Sequence, residues 1–157
     1  MNLLYLAYAL LAGLAIGLMI SVYSDIRHRL IYNKVTLPIA LASPLYWYAT
    51  GQFGLSEIGM HLLVGGCVFA LFALFFAIGM MGGGDVKLFT AIALWFDWMT
   101  VVEMLLHTSI IGGVVTVIFL IIHKAKKQSG KVRIPYGVAI AAAGLFTVGA
   151  RFLNHFA

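Results

Sequence analysis

The stretch Met80-Met81-Gly82-Gly83-Gly84-Asp85-Val86-Lys87 is the part of this 157-residue chain from which its fold can be worked out. It places three consecutive glycines and a carboxylate at the end of a long apolar run. An ionisable residue in such a run is costly if the run lies in a membrane, and it marks a functional position by default. Because glycine has no Cβ, the backbone here can adopt a positive φ or accept a close main-chain neighbour. We therefore expect Asp85 to be a carboxylate that an extended segment can approach.

The composition around this stretch excludes a soluble globular protein. Hydrophobic residues make up 63% of the chain and charged residues only 10%, a balance typical of membrane proteins. The single cysteine, Cys67, excludes a disulfide framework and a multi-cysteine zinc site. The formal charge of +5 arises from cations beside apolar runs, a pattern that favours membrane loops over a nucleic-acid partner. Membrane lipid is the expected surrounding.

Six apolar segments are predicted to be transmembrane helices. The first is long enough to cross a hydrocarbon core of about 30 Å at about 1.5 Å per residue. The sequence therefore predicts an all-α integral membrane protein with about six transmembrane helices, in which residues 1–157 form a single membrane-embedded domain. The six segments are residues 2–23, 35–50, 56–81, 86–100, 104–122 and 135–152.

The distribution of cations predicts the orientation of these segments. Residues 25–34, 82–87 and 124–133 contain every lysine and arginine except Arg151. Since cytoplasmic loops carry an excess of Lys and Arg, these three loops are expected in the cytoplasm and both termini outside. The basic loop 124–133 is also expected to attract anionic lipid, by about 1 kcal/mol per cation near the surface.

This orientation brings Asp25 and Asp85 to the same face of the membrane, as the only acids there; Glu57, Asp97 and Glu103 fall on the other face. Two adjacent carboxylates cannot both ionise cheaply, so one keeps a proton while the other stays charged. The ionised carboxylate can take a proton from an attacking water, and the protonated one can donate to a peptide carbonyl. We therefore predict that Asp25 and Asp85 are a catalytic pair that needs neither a metal nor another cofactor.

Non-catalytic interpretations of the same residues stay open at this point. Asp25 could pair with Arg29 one turn further on, and Asp85 could cap the fourth helix, where its charge is favoured. The pairs Glu57/His61 and Glu103/His107, each four residues apart on a helix, could bind a divalent metal or be packed structurally. Ser109 and His107 lie two residues apart, hence on different faces, and do not suggest a nucleophile with its base.

The chain resembles the type IV prepilin peptidases, membrane aspartic proteases with a Gly-x-Gly-Asp motif. The stretch Gly82-Gly83-Gly84-Asp85, followed by Lys87, looks like that motif. Asp25 with Asn33 looks like the family's first-aspartate segment, although Tyr32 stands where the family usually has proline. Residues 133–141, Arg133-Ile134-Pro135-Tyr136-Gly137-Val138-Ala139-Ile140-Ala141, are similar to the short members that serve tight-adherence (Flp-type) pili.

This resemblance implies an endopeptidase of the bacterial inner membrane that cleaves the leader peptides of prepilins or pilin-like proteins at the cytoplasmic face. Matching positions make Asp25 and Asp85 its catalytic pair and Gly82, Gly83 and Gly84 the motif backbone. Larger relatives also methylate the new N-terminus and carry a cysteine-rich insertion, so methyltransferase activity is not expected of this chain. The alternative is a small ion- or proton-coupled transporter or channel subunit, whose intramembrane acids would relay ions. The residues that bind substrate, the particular pilins and the oligomeric state are not predicted.

Overall fold

The computed structural model of the protein describes residues 2–125 and 134–153 and folds them into six α-helices without a β-strand. The predicted all-α fold class is confirmed. The helices are α1 (Leu3–His28), α2 (Asn33–Ala49), α3 (Leu55–Ala77), α4 (Gly83–Ala93), α5 (Trp98–Ala125) and α6 (Tyr136–Leu153).

Within the described residues, four helices are long and apolar enough to cross a membrane: α1, α3, α5 and α6. Large apolar side chains such as Leu63, Leu106 and Ile110 are exposed along them, as expected for surfaces that face lipid. The protein is thus a multi-pass membrane protein. The remaining two helices are shorter, with 17 residues in α2 and 11 in α4. The described residues therefore contain four helices of spanning length, against about six that were predicted.

Several helix ends differ from the predicted boundaries. Helix α4 covers Gly83–Ala93 and ends well before the predicted residue 100. Three other differences have a local reason. Helix α1 continues through His28, so Asp25 lies in its last turn rather than in a loop. Helix α3 ends at Ala77, because Gly79 adopts a positive φ of 75° that terminates the helix. Helix α5 begins as early as Trp98, because the Asp97 carboxylate accepts the backbone N–H of Thr100 at 3.0 Å and so caps it.

Helix α4 occupies the centre of the bundle, packed against α2, α3 and α6. Its side chains Leu88, Phe89 and Ile92 are fully buried. Because α4 is short and enclosed, Asp85 in its first turn is held at one end of the bundle core.

Two tryptophan side chains fix α2 to the end of α4. Trp95 donates its indole N–H to the carbonyl of Ile39 at 2.9 Å, and Trp47 donates to the carbonyl of Leu94 at 2.7 Å. Pro44 has no N–H to offer the carbonyl of Ala40, and the Ser43 hydroxyl binds that carbonyl instead at 2.8 Å. The helix therefore accommodates an internal proline without leaving this carbonyl unpaired.

Some of the residues on which the predicted orientation rests lie outside the described residues. This applies to the centre of the basic loop, with Lys126, Lys127, Lys131 and Arg133, and to the C-terminal residues 154–157.

Candidate active site

Asp25 and Asp85 lie at the same end of the helix bundle. Asp25 is in the last turn of α1 and is 6% exposed, whereas Asp85 is in the first turn of α4 and is 8% exposed. Helix α6 packs against both α1 and α4 at this point. Two acids about 60 residues apart in sequence are thereby brought into electrostatic range, since the charge of Asp25 acts on Asp85.

The Asp25 carboxylate is positioned by the N-terminus of α6. Its Oδ2 accepts the backbone N–H of Val138 at 3.1 Å. The first N–H groups of a helix have no partner within the helix, and the positive end of the helix dipole attracts a negative group. Asp25 therefore caps α6 from another helix, and the end of α6 fixes the position of the carboxylate.

Gly137 is required for this contact. A Cβ added at Gly137 would lie 2.8 Å from Oδ2 of Asp25 and 2.5 Å from Cδ1 of Ile31. Both distances are well below van der Waals contact, so any side chain at this position would displace the carboxylate or Ile31. Gly137 is thus a residue of the site that sequence reasoning did not single out.

The Asp85 carboxylate folds back on the start of its own helix. Its Oδ2 accepts the backbone N–H of Gly82 at 3.1 Å, one half of a capping box; glycine has no side chain to form the other half. The pKa of this carboxyl is raised from 3.8 to about 6, chiefly by burial and in smaller part by the charge of Asp25, although the bond from Gly82 lowers it. Helix α4 is not one of the four helices of spanning length, and near neutral pH a part of the Asp85 carboxyl keeps its proton.

Ile31, in the connection between α1 and α2, lies between the two acidic segments. A Cβ at Gly84 would be 3.1 Å from Cβ of Ile31 and 3.4 Å from its backbone nitrogen. A main-chain segment of the protein itself therefore lies close to Gly84, and the approach of a separate extended segment stays a prediction. Gly82, Gly83 and Gly84 all keep negative φ values, so close approach is the reason for glycine at position 84.

The two other residues of the motif segments also meet. Lys87 on α4 donates from Nζ to Oδ1 of Asn33, the first residue of α2, at 3.1 Å. This contact joins the segment that follows Asp85 to the segment that follows Asp25. Neither side chain was assigned a role from the sequence, and their pairing follows from the packing of α2 against α4.

The non-catalytic interpretations of the two acids have different outcomes. Within the described residues, Arg151 and Asp97 form the only ion pair, so Asp25 and Arg29 do not form one; the Arg29 guanidinium lies 4.8 Å above the ring of Phe119. Asp85 does interact with the N-terminus of α4, as the capping interpretation predicted. Capping and catalysis are compatible, because this bond occupies one position on one of the two carboxylate oxygens.

The Glu57/His61 pair does not form a metal site. His61 is buried, stacks on Trp47 at 4.9 Å, and contacts the carbonyl of Phe96 at 3.2 Å and the side chain of Gln52 at 3.1 Å. Its ring is thus held structurally, while Glu57 accepts a bond from Ser56 at 3.0 Å.

Glu103 and His107 line a separate cavity of about 350 Å³ with Arg151. Across the described ranges, no three His, Cys, Asp or Glu side chains converge as metal ligands.

The opposite end of the bundle carries a cavity of about 420 Å³ whose lining includes Asp97 and Arg151. Burial alone would raise the pKa of Asp97, but the bonds from Thr100 and the Arg151 guanidinium outweigh it and leave the pKa below the ordinary 3.8. These charges neutralise each other. The arrangement holds the end of α6 against the start of α5 and leaves no proton to exchange near neutral pH, unlike the Asp25/Asp85 end.

Comparisons with known proteins point to one family. Residues 12–117, which include both aspartates, match the type IV leader peptidase family. A prepilin leader peptidase/N-methyltransferase of Legionella pneumophila is 32% identical over 149 residues, covering 88% of this chain and 49% of that protein. A protein of the same name from Stutzerimonas stutzeri is 30% identical over 138 residues, covering 82% of this chain and 45% of that protein. The chain spans about half the length of these curated relatives. No solved structure is significantly similar to it.

Proposed function

This chain belongs to the type IV leader peptidase family, and we propose that it is a membrane aspartic endopeptidase that removes leader peptides from prepilins or pilin-like proteins. The observation that carries the proposal is that two buried carboxylates, Asp25 and Asp85, lie at the same end of the bundle, with Ile31 against both of their segments. Both relatives are prepilin leader peptidases by name, which supports the substrate class. The proposal concerns peptide cleavage and does not extend to methyl transfer.

The two carboxyls act on a water and a peptide bond as a coupled acid and base. The ionised carboxylate accepts a proton from water as the water oxygen attacks the carbonyl carbon, and the protonated carboxyl donates to the carbonyl oxygen. The resulting tetrahedral intermediate breaks its C–N bond as the nitrogen takes up a proton from the pair and one hydroxyl of the intermediate returns its proton to the pair. A new carboxyl terminus and a new amino terminus are released, and the pair again holds one proton.

The protein contributes the fixed positions of these groups. Val138 and Gly82 each hold one carboxylate oxygen through a backbone N–H, at 3.1 Å in both cases. We assign the second oxygen of each carboxyl as the reacting atom, because the backbone N–H groups bind the first. We place this end of the bundle at the cytoplasmic face of the bacterial inner membrane, because Arg27, Arg29, Lys34 and Lys87 cluster around it.

Cleavage of a purified substrate tests the proposal. A prepilin-like protein with one transmembrane segment is incubated with the purified protein, and the product is identified by N-terminal sequencing. We expect one cut just before the apolar segment, and at least about 100-fold slower cleavage by Asp25→Asn and by Asp85→Asn, since both proton transfers are lost. Glu57→Gln removes an acid from the opposite end and is the matched control, with an unchanged rate. Full activity in either aspartate variant would refute the mechanism.

The transporter or channel subunit is the rival from another class. The same preparation distinguishes it, because reconstituted vesicles would show ion flux that depends on Asp25 and Asp85 without cleavage of the substrate. The family match and both relatives favour the peptidase.

A further inference from the structure

We infer that a groove between α3, α5 and α6 receives the apolar segment of the substrate as a helix and delivers its cytoplasmic end to the aspartate pair. This inference rests on the proposed function and adds the path by which the substrate enters. The groove encloses about 530 Å³, and its lining is mainly apolar.

The groove ends at the candidate active site. Met81 and Tyr136 both line it. Met81 directly precedes Gly82, whose N–H binds Asp85, and Tyr136 lies two residues before Val138, whose N–H binds Asp25. A segment that leaves the groove at this end therefore passes beside the two backbone segments that hold the carboxylates.

The groove exists because α5 diverges from α3. Helix α3 packs mainly on α4, and α5 packs mainly on α6. Among the 28 residues of α5, only Val101, Met104 and Gly112 are buried. The gap between α3 and α5 is thus open sideways, which allows an apolar helix to enter from the bilayer without crossing a polar surface.

The α5 side of the groove suits a helix. The lining residues of α5 run from Leu105 to Thr116, about 16 Å or three helical turns, and include the small residues Ser109, Gly112 and Gly113. Small residues let helix backbones approach closely in membranes. A Cβ added at Gly113 would meet nothing within 4 Å, so the packing of this protein itself leaves the position free.

One hydroxyl in the groove lacks the bond that its neighbours make. Ser109 and Thr116 each donate to the carbonyl four residues earlier, at 2.8 Å and 2.7 Å. The buried hydroxyl of Thr108, the residue before Ser109, has no hydrogen-bond partner among the described residues. An unpaired buried hydroxyl is unfavourable, and an entering segment with a polar group at this depth would satisfy it.

Kinetics with a filled groove test the inference. Gly113→Leu places a bulky side chain in the groove, and Gly66→Leu places the same side chain on α3 at an exposed glycine outside it that also has nothing within 4 Å. For a substrate with its apolar segment, we expect Gly113→Leu to raise KM at least tenfold with little change in kcat, and Gly66→Leu to match wild type. A leader peptide without the apolar segment should be cleaved equally by all three proteins. An unchanged KM in Gly113→Leu, or an equal defect in Gly66→Leu, would overturn the inference.

A cross-linking measurement separates this inference from the proposed function. The background carries Asp85→Asn, to prevent cleavage, and Cys67→Ala, because Cys67 is exposed beside Gly66. We expect Gly113→Cys, and not Gly66→Cys, to cross-link to a cysteine in the apolar segment of the substrate. Equal cross-linking at both positions, or none at either, would mark the groove as a lipid-filled crevice and overturn the inference. Cross-linking at position 113 without any cleavage by wild type would refute the proposed function and leave the groove as a binding site.

Discussion

The Asp25 carboxylate and the backbone N–H of Val138 form a hydrogen bond of 3.1 Å between the last turn of α1 and the first turn of α6. These residues are 113 positions apart, so the bond joins the first and the last helix of the chain at the candidate site. The helix that holds Asp25 in place is thus as much a part of the site as the two aspartates.

Replacing Gly137 by alanine should damage the site without unfolding the protein. The added Cβ would approach Oδ2 of Asp25 to 2.8 Å, and the carboxylate has to move away from Val138. We expect kcat/KM for leader cleavage to fall by about 10- to 100-fold, in line with the misplacement of a reacting group. Gly149→Ala on the same helix, where an added Cβ meets nothing within 4 Å, is the control and should be as active as wild type.

Replacing Gly84 by alanine should also lower activity, through Ile31. The added Cβ would lie 3.1 Å from Cβ of Ile31 and 3.4 Å from its backbone nitrogen, so the α1–α2 connection has to shift as a whole. Gly83→Ala meets only the edge of the Phe76 ring, at 3.4 Å, and this ring can rotate away. We expect cleavage assays to rank the proteins as wild type, then Gly83→Ala, then Gly84→Ala. The reverse order of the two variants would contradict the role assigned to Ile31.

The pH dependence of cleavage should report the shared proton. Burial raises the pKa of Asp85 from 3.8 to about 6, so the acid form is present below that value and is lost as the pH rises through it. Because the mechanism needs one protonated carboxyl, kcat/KM should decline on the alkaline side of about 6. The apparent value belongs to the pair rather than to either residue. A profile that stays flat through this pH would exclude a proton-sharing pair.

Trp95 should stabilise the protein through its indole N–H. Trp95→Phe leaves the carbonyl of Ile39 without this donor in a buried position, where Trp95 is 1% exposed. We expect the free energy of unfolding, measured by denaturant titration in detergent, to fall by about 1–3 kcal/mol. Trp98 is 53% exposed, and Trp98→Phe should change stability by less than about 0.5 kcal/mol. Equal losses in the two variants would show that the hydrogen bond is not the source of the effect.

The sequence by itself determined the class of protein and the two acids. A composition with 63% hydrophobic residues, long apolar runs and cations confined to a few loops is sufficient to predict a helical membrane protein, because a bilayer permits few other folds. The rarity of acids among these runs made Asp25 and Asp85 stand out. Their catalytic role stays a prediction until the substitutions are tested.

Only the tertiary structure decided what surrounds these acids. The contacts of Asp25 with Val138 and of Ile31 with Gly84 and Gly137 join segments that are distant in sequence, and apolar periodicity carries no information about such pairings. One signal was present, since Pro135-Tyr136-Gly137 combines a helix-starting proline with a glycine in the first turn. The sequence pattern indicated which residues are candidates for catalysis. The packing of α6 against α1 and α4 decided which backbone groups hold them, because hydrogen-bond geometry depends on the positions of whole helices.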